Sequence, residues 1–441
     1  MTAPESRSDR QAERERDLAA SPLARPAAGG YAAPVIAIVG AGAAGLATAI
    51  FAARRGAKGP IVLFDGAPRP GAKILVSGGS RCNVTNATVT EGDFSGGPPH
   101  LLRRVLRAYG VEETVAFFRE IGVALHEEEQ GKLFPDANRS RFVLQALLDE
   151  AARRGVVLRA GERVEAVDAT GGGFILRTNR DEPTASRVVL ATGGLSLPKS
   201  GSDGHGLRIA EALGHSIVPT TPALVPLVLA GSFHVPLSGV AHEVEIAVRA
   251  SGLASVRRKG SLLWTHFGVS GPAVLDVSRT WLRARLEGLE AAVHVNLLPG
   301  RDFACTESEF VRLSAASPRL GVARVLSRWL PGAVAQALAL EAGVGETPLG
   351  RLRRDARRAL VHGLVDRVLP VIESRGYGFA EATAGGVPLA EIDARSMQSR
   401  RHPGLFLVGE MLDVDGRIGG FNFQWAWSSA WVAGGSLARG L

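Results

Sequence analysis

Residues 35–45 read Val-Ile-Ala-Ile-Val-Gly-Ala-Gly-Ala-Ala-Gly, and this stretch decides the fold. Its apolar first half predicts a buried strand, and the pattern Gly40-x-Gly42-x-x-Gly45 predicts a sharp turn into a helix. The first glycine makes the bend, the second lets the backbone approach a pyrophosphate, and the third allows the helix to pack closely on the strand. The free N–H groups and the positive dipole end of the helix favour phosphate at this turn.

A second apolar run, Ile61-Val62-Leu63-Phe64, ends at Asp65, where a carboxylate can accept hydrogen bonds from a ribose. The two runs and the helix between them form a dinucleotide-binding βαβ unit. Residues 31–53 carry no charge and are long enough to span a bilayer, but the glycines break the segment, and the acidic strand end favours the βαβ unit. The residues predicted to hold the dinucleotide here are Gly40, Gly42, Ala43, Ala44, Gly45 and Asp65.

The composition is that of a globular protein with two or three domains: 441 residues, of which 46% are hydrophobic and 21% are charged. Residues 1–33 alternate arginines with acids and lack the apolar segment of a signal peptide, so a disordered leader is predicted. Cys82 and Cys305 form no CxxC pair, so neither a disulfide framework nor a metal site is indicated. A cytoplasmic protein without a membrane segment is expected.

The net charge of +8 belongs to the body of the chain, because basic and acidic residues cancel in the leader. Such a surplus would attract phosphate backbones, although exposed helix faces also carry arginines. The basic clusters are Arg103-Arg104, Arg139-Ser-Arg141, Arg257-Arg258-Lys259, Arg351 to Arg358 and Arg400-Arg401.

Strands that end in glycine recur near residues 39, 191 and 408, with long excursions between them. This spacing predicts an α/β fold whose Rossmann-like nucleotide domain is discontinuous, over 34–200 and 375–441. Residues 201–374 are predicted to be an inserted substrate domain, β-barrel-like and β-rich over 201–300 and helical over 305–367. FAD requires such a domain, because its ADP half lies on the first helix and its isoalloxazine needs separate contacts far away.

The later glycine turns are predicted to complete the FAD site. Thr192, Gly193 and Gly194 either approach the cofactor or form a structural turn. Glu410, after Gly409, is placed to bind ribityl hydroxyls at a strand end. The backbone at the start of the last helix is predicted to face the N1–C2=O edge of the flavin, where a helix dipole stabilises negative charge. These residues are Gly419, Gly420, Phe421 and Asn422.

Four motifs resemble the BaiN/YhiN-type bacterial flavoproteins, also known as aminoacetone-oxidase-family FAD-binding enzymes. They are SGGSRCNVTN at 77–86, ATGG at 191–194, THFGVSGP at 265–272 and GEMLDVDGRIGGFNFQWAWSSAWVAG at 409–434. The resemblance covers residues 34–438, and Ser80 departs from it where the family usually has a third glycine. It implies an FAD domain with a substrate insertion. Relatives reduce enones of bile acid intermediates, oxidise a small amino ketone, or reduce a uridine in ribosomal RNA.

The resemblance implies further cofactor contacts. The Gly/Ser-rich loop that follows the first βαβ unit is expected to approach the ring system, and similar flavoproteins use the strand at Val164 to contact adenine through its backbone. The residues concerned are Lys73, Ser77, Gly78, Gly79 and Val164.

His266, Arg81 and Asn83 are the predicted catalytic residues. His266 lies in a Gly/Ser-rich loop and titrates near neutral pH, although a structural histidine fits as well. Arg81 would neutralise reduced flavin or bind an anionic substrate, unless it forms an exposed ion pair. Cys82 is either an acid that protonates carbon or a small buried hydrophobe, and His205 is a second-choice acid or base.

Trp425, Trp427 and Trp431 suggest a stacking platform, but their spacing on a helix favours packing beside the cofactor.

The predicted function is an FAD-dependent oxidoreductase that passes a hydride from NAD(P)H through flavin N5 to an unsaturated or carbonyl-conjugated small molecule. No second GxGxxG unit follows a strand, so donor and acceptor would share one flavin face, or oxygen would be the oxidant. The alternatives are a reductase of uridine in ribosomal RNA, a small-amine oxidase that releases hydrogen peroxide, and a flavin-binding module without turnover. The oligomeric state stays open.

Overall fold

The structure is a computed structural model that describes residues 35–252 and 254–439. The predicted leader over residues 1–33 lies outside the described residues.

Strand Ile36–Val39 lies inside a seven-stranded sheet and is fully buried. It pairs in parallel with Ile61–Asp65 on one side and with Arg187–Leu190 on the other. Leu405–Leu407, from the C-terminal part of the chain, adds the next parallel strand, so the sheet is assembled from distant segments. The predicted Rossmann-like α/β fold class is confirmed. The strand order is Ile392–Asp393, Gln398–Ser399, Leu405–Leu407, Arg187–Leu190, Ile36–Val39, Ile61–Asp65 and Val157–Ala160.

Helix Ala43–Arg54 packs along the C-terminal helix Phe421–Arg439. Their close approach depends on Gly434, where a Cβ would lie 2.8 Å from the Cβ of Phe51. Phe51 also forms an aromatic cluster with Tyr109, Phe117 and Trp431, whose ring centroids lie 5.0–5.2 Å from its own. The other helices of this domain are Ala72–Ser80, Pro99–Ala108, Val111–Glu120, Ser140–Arg153 and His205–Ala212.

Smaller sheets extend the nucleotide domain around the ends of the parallel strands. One is Thr85–Asn86, Lys132–Pro135 and Leu125–Glu128; the second is Thr184–Ala185, Gly173–Thr178 and Val164–Thr170; the third pairs Phe94–Gly96 with Val414–Gly416.

Short 3₁₀ turns occur in both parts of the chain. They lie at Glu91–Asp93, Glu129–Gly131, Pro198–Ser200, Val235–Leu237, Leu349–Arg351, Tyr377–Phe379, Leu389–Glu391 and Gly409–Met411.

The inserted segment has its own hydrophobic core around Trp264 and Phe310. It contains a seven-stranded antiparallel sheet in the order Arg367–Leu369, Ala291–Asn296, Ala241–Ala250, Val256–Thr265, Gly268–Ser270, Leu227–Leu229 and Val371–Ser374. The two edge strands are consecutive in the chain, so one segment borders both edges and gives the sheet a barrel-like form. Its helices are Pro272–Leu286, Phe303–Ala316, Val322–Leu326, Gly332–Glu341 and Arg354–Val365.

The antiparallel strands Val218–Ala223 and Ala382–Gly386 connect the insertion to the nucleotide domain. Across residues 35–252 and 254–439, the structure contains no helix with the length and apolar character needed to cross a membrane.

Candidate functional site

One continuous cavity of about 1100 Å³ runs from the Gly40–Gly42 turn to the loop that precedes the C-terminal helix. Its volume lies at the upper end of the range for small-molecule sites, which suits a large extended ligand. The walls come from the first βαβ unit, the loop at residues 77–79, the strand at Val164 and the C-terminal segment 417–420. Three of the four sequence motifs, at 77–86, 191–194 and 409–434, therefore contribute to one space, whereas the motif at 265–272 does not line it.

The first glycine turn has the shape that a bound pyrophosphate requires. Gly40 adopts a φ of +103°, and a Cβ there would lie 2.6 Å from the carbonyl oxygen of Ala191. A Cβ on Gly45 would overlap the carbonyl oxygen of Gly40, so this glycine serves the close packing of helix on strand. Gly42 has open space where its Cβ would be, and it lines the cavity with Ala43. The cradle fits the phosphates of FAD.

Asp65 is held at the edge of the cavity by two backbone hydrogen bonds. Its Oδ2 accepts from Ala41 N at 2.8 Å, and its Oδ1 accepts from Ala67 N at 2.8 Å. Burial raises the pKa of Asp65, and the two hydrogen bonds act in the opposite direction. A carboxylate has about four acceptor sites, so Asp65 retains capacity for ribose hydroxyls.

The strand ends beside Asp65 supply further lining. Val164, Thr192 and Gly193 line the cavity, as does Ala44. His205 also lines it, and its Nε2 donates to the carbonyl oxygen of Glu165 at 2.8 Å.

A polar network links four segments at the middle of the cavity. Lys73 Nζ donates to the Ser196 hydroxyl and to the Glu410 carboxylate. Ser196 Oγ in turn donates to Glu410 Oε1 at 2.6 Å, and Thr383 N donates to the same oxygen at 3.0 Å. Lys73 and Glu410 were predicted from sequence, whereas Ser196 was missed; its signal is a polar residue just after the ATGG turn.

At the end of helix Ala72–Ser80 the backbone leaves helical geometry from Ser77 onward and turns through the left-handed region. Gly78 has a φ of +55°, Gly79 of +66° and Ser80 of +66°. Ser77, Gly78 and Gly79 line the cavity. Ser80 adopts a left-handed conformation that favours glycine, and the resulting backbone strain is typically about 1 kcal/mol.

Arg81 and Asn83 both line the cavity at the end of this loop. Arg81 Nη1 donates to Glu128 Oε1 at 2.6 Å, and the guanidinium lies 4.0 Å from the centroid of the Phe134 ring. Asn83 is more than nine-tenths buried, and its Oδ1 has no hydrogen-bond partner among the described residues. Because a buried polar atom without a partner is costly, Asn83 fits a contact to a bound cofactor.

The far end of the cavity is formed by the segment before the last helix. Gly419, Gly420 and Asn422 line it, together with Ile418. The helix begins at Phe421, so its first N–H groups lie at this end. The Asn422 side chain is occupied locally, since it accepts from Gly416 N at 2.8 Å and donates to Gly416 O at 3.0 Å. The backbone, rather than this side chain, is available to a flavin.

Glu381 is an acid in the cavity that sequence reasoning missed. It precedes the buried strand Ala382–Gly386, and it lines the cavity near Lys132 and Leu224. Burial raises the pKa of Glu381, the nearby charge of Asp276 raises it further, and Lys132 and Lys73 lower it. Glu381 is an exposed residue that lines the cavity. The available signal was an acid placed directly before an Ala/Thr/Gly-rich strand.

Several predicted residues lie outside the cavity. His266 lies in an exposed turn of the inserted domain, beside Phe267, so the structure does not bring this predicted catalytic residue to the site. A polar Gly/Ser-rich loop is also typical of a tight hairpin, which is what it forms here. The residues behind the cavity wall are Gly45, Gly194, Gly409 and Phe421.

Cys82 and the three tryptophans of the last helix contact protein rather than the cavity. Cys82 is fully buried, and burial raises its pKa to about 12, which removes it as an accessible acid. Trp425 Nε1 donates to Gly409 O at 3.1 Å, and Trp427 Nε1 donates to Val84 O at 2.9 Å. Trp431 packs against the guanidinium of Arg55, 3.6 Å from the ring centroid. All three tryptophans pack the helix rather than line the cavity.

A family model described as the HI0933-like protein Rossmann domain matches residues 34–436. The chain is 35% identical over 400 residues to a ribosomal RNA dihydrouridine synthase of Escherichia coli, covering 91% of this chain and 97% of that protein. It is 33% identical over 412 residues to the protein of the same name in Haemophilus influenzae, covering 91% and 98%. A 3-dehydro-bile acid delta(4,6)-reductase of Clostridium scindens is 31% identical over 405 residues, covering 92% and 99%.

Proposed function

The chain belongs to the HI0933-like family of Rossmann-domain FAD-dependent oxidoreductases, and we propose that it reduces a carbon–carbon double bond conjugated to a carbonyl group. We propose NAD(P)H as the electron donor and a uridine of ribosomal RNA as the substrate. The observation that carries the proposal is Glu381, an acid inside the cavity at its flavin end.

The named reactions of the relatives support a common chemistry. Formation of dihydrouridine and reduction of an unsaturated steroid ketone both saturate a double bond activated by a carbonyl group. Each needs a hydride at the β-carbon and a proton at the α-carbon. The protein must therefore hold a hydride source and place an acid beside the same substrate face.

Different groups in the cavity would supply the hydride, the stabilising charge and the proton. FAD, held by the glycine turn and Asp65 and reduced by NAD(P)H, would supply the hydride. Lys132 would stabilise the negative charge that develops on the conjugated carbonyl oxygen, because a cation placed beside a developing negative charge lowers its energy. Glu381 would then donate its proton to the α-carbon and recover one from solvent. A raised pKa keeps the acid protonated closer to neutral pH, as a general acid requires.

The test combines RNA analysis with a matched pair of variants. Deletion of the gene should remove dihydrouridine from ribosomal RNA, measured by mass spectrometry of nucleosides, and the wild-type gene should restore it. Glu381→Gln should retain FAD but reduce turnover by about 10²–10⁴-fold, the usual contribution of a general acid. Glu381→Asp keeps the carboxyl group and should retain more of the activity.

Other results would change the assignment. Unchanged dihydrouridine in the deletion strain would remove ribosomal RNA as the substrate, while reduction of a small enone by the purified protein would keep the reductase. Oxygen consumption with a small amine would favour an amine oxidase. Flavin absorbance that no NAD(P)H bleaches under anaerobic conditions would favour a binding module.

A further inference from the structure

A second concave surface lies outside the cavity and is strongly basic. This groove, of about 560 Å³, is formed by one face of helix Pro99–Ala108, by the loop at Ala394 and by Val432 of the last helix. Its polar lining within the described residues consists of cationic or titratable basic side chains: His100, Arg103, Arg104, Arg107 and Arg395. We call this surface the basic groove.

The helix presents these charges as a continuous stripe. Residues 100, 103, 104 and 107 have the spacing of one helical face, and all are exposed, while Leu102, Val105 and Leu106 on the other face are buried. Like charges three and four residues apart repel by a few tenths of a kcal/mol per pair, and no acid lies in the first turn of this helix. The stripe therefore does not stabilise the helix.

Acidic side chains of the protein pair with only part of the positive charge of the groove. Arg103 Nε donates to Glu91 Oε1 at 2.7 Å. Within residues 35–252 and 254–439, the guanidinium groups of Arg104, Arg107 and Arg395 form neither an ion pair nor a hydrogen bond. Three cations thus line one concave surface with open hydrogen-bonding capacity.

The basic groove is joined to the flavin end of the cavity by a single short turn. Glu91 contacts Arg103 in the groove, and two residues later Asp93 Oδ1 accepts from Arg417 Nε at 2.8 Å. Arg417 lines the cavity. The Cα atoms of Glu91 and Asp93 are at most about 7 Å apart, so this turn brings Arg103 of the groove and Arg417 of the cavity wall close to each other.

We propose that the basic groove binds backbone phosphates of the RNA strand whose uridine enters the cavity. Arginine matches a phosphate with two parallel hydrogen bonds, and a row of arginines matches the repeated charge of a nucleic acid strand. The inference rests on the proposed function for the identity of the strand, but it assigns a separate surface. A small-molecule substrate would need no such groove.

The test compares two triple variants with the same loss of charge. The groove variant combines Arg104→Gln, Arg107→Gln and Arg395→Gln, which removes three positive charges from the basic groove. Arg351→Gln, Arg353→Gln and Arg354→Gln remove three exposed arginines of the inserted domain and serve as the control. Binding of a short fluorescein-labelled oligouridylate to the FAD-loaded proteins is measured by anisotropy across a salt series.

The groove variant should lose affinity by about tenfold or more, and the slope of log K against log[salt] should fall by about 2, since each contact to single-stranded RNA contributes about 0.7. The control should keep nearly the wild-type slope. NAD(P)H oxidation with a small enone should be equal in all three proteins.

Equal slopes in the groove and control variants would overturn the groove assignment, whatever the substrate is. Selective loss of RNA binding by the groove variant would support it, even if the deletion strain retained its dihydrouridine. The two proposals can therefore fail independently.

Discussion

Replacing Gly42 and Gly45 separately by alanine should distinguish cofactor binding from folding within one motif. At Gly45 a Cβ would overlap the carbonyl oxygen of Gly40 and lie 3.3 Å from the Cβ of Ala191. At Gly42 a Cβ would meet no atom of the described protein within 4 Å, but it would project at the cavity that the phosphates are to occupy. One substitution should damage the fold, and the other should damage only FAD binding.

The expected sizes follow from these contacts. Overpacking of a core costs about 1–3 kcal/mol, and a backbone carbonyl cannot rotate away, so Gly45→Ala should cost about 3 kcal/mol. In a domain of this size that corresponds to a fall in Tm of about 10 °C. Gly42→Ala should leave the Tm of the FAD-free protein nearly unchanged and weaken FAD binding by about 10–100-fold, or about 1.4–2.7 kcal/mol.

Gly321 offers a matched control. Like Gly42, it immediately precedes a helix and has no atom within 4 Å of where its Cβ would be, but it lies in the inserted domain. The assays are thermal unfolding of the protein stripped of FAD and calorimetric titration with FAD. Wild-type FAD affinity in Gly42→Ala would refute the placement of the pyrophosphate at this turn, and an unchanged Tm in Gly45→Ala would refute the packing argument.

Three further substitutions test the structure elsewhere. Ser80→Gly should raise the free energy of unfolding by about 1 kcal/mol in urea titrations, because it relieves a left-handed residue; an unchanged or lower value would contradict that reading. Cys82→Ala should leave the pH dependence of enone reduction unchanged, since the thiol is buried with a pKa of about 12. Loss of one ionisation from the pH–rate profile of this variant would instead show that Cys82 acts as an acid. Glu391→Gln should lower the free energy of unfolding by about 1–2 kcal/mol at neutral pH, because hydrogen bonds from Arg401, Ser216 and His215 hold the pKa of Glu391 well below its usual range. A depressed pKa stabilises the folded protein fully above the unfolded value of about 4.3, so the difference from wild type should shrink as the pH falls below about 4 and vanish only at the much lower pH where folded Glu391 is itself protonated; a constant difference would exclude this linkage.

The local motifs made much of the nucleotide domain predictable. The strand at residues 36–39, the helix that follows and Asp65 all depend on neighbours close in sequence, so periodicity and glycine spacing sufficed. The return of Leu405–Leu407 to the same sheet was also expected, because it ends in a glycine turn of the same type. The last helix begins at Phe421, within the segment 419–422 where its start was predicted.

Glu381, Ser196 and the basic groove were not predicted, since local signals for the first two are weak and all three depend on segments that meet only in the folded chain. Glu381 gains its raised pKa from Asp276 and from burial, neither of which is local in sequence. Arg104 and Arg395 line one groove although their sequence positions carry no hint of proximity. His266 was predicted to be catalytic but lies outside the cavity. A loop rich in glycine and serine has the same sequence pattern whether it lines a site or closes a hairpin, so the sequence does not distinguish the two.

The inserted domain has a separate core, but one of its helices contacts the segment 415–418, next to the residues that would face the flavin. Arg279 Nε, on helix Pro272–Leu286, donates to both carboxylate oxygens of Asp415 at 2.6 and 2.8 Å. One turn earlier on the same helix, Asp276 Oδ1 accepts from Ile418 N at 2.7 Å. Asp415 is almost fully buried, and burial raises its pKa while Arg279 lowers it, so the pair is held in a geometry that would be costly to break. Because Asp276 also acts on Glu381, the insertion fixes both the loop that would face the flavin and the charge around the proposed proton donor. Helix Pro272–Leu286 therefore connects the inserted domain with the residues around the proposed site.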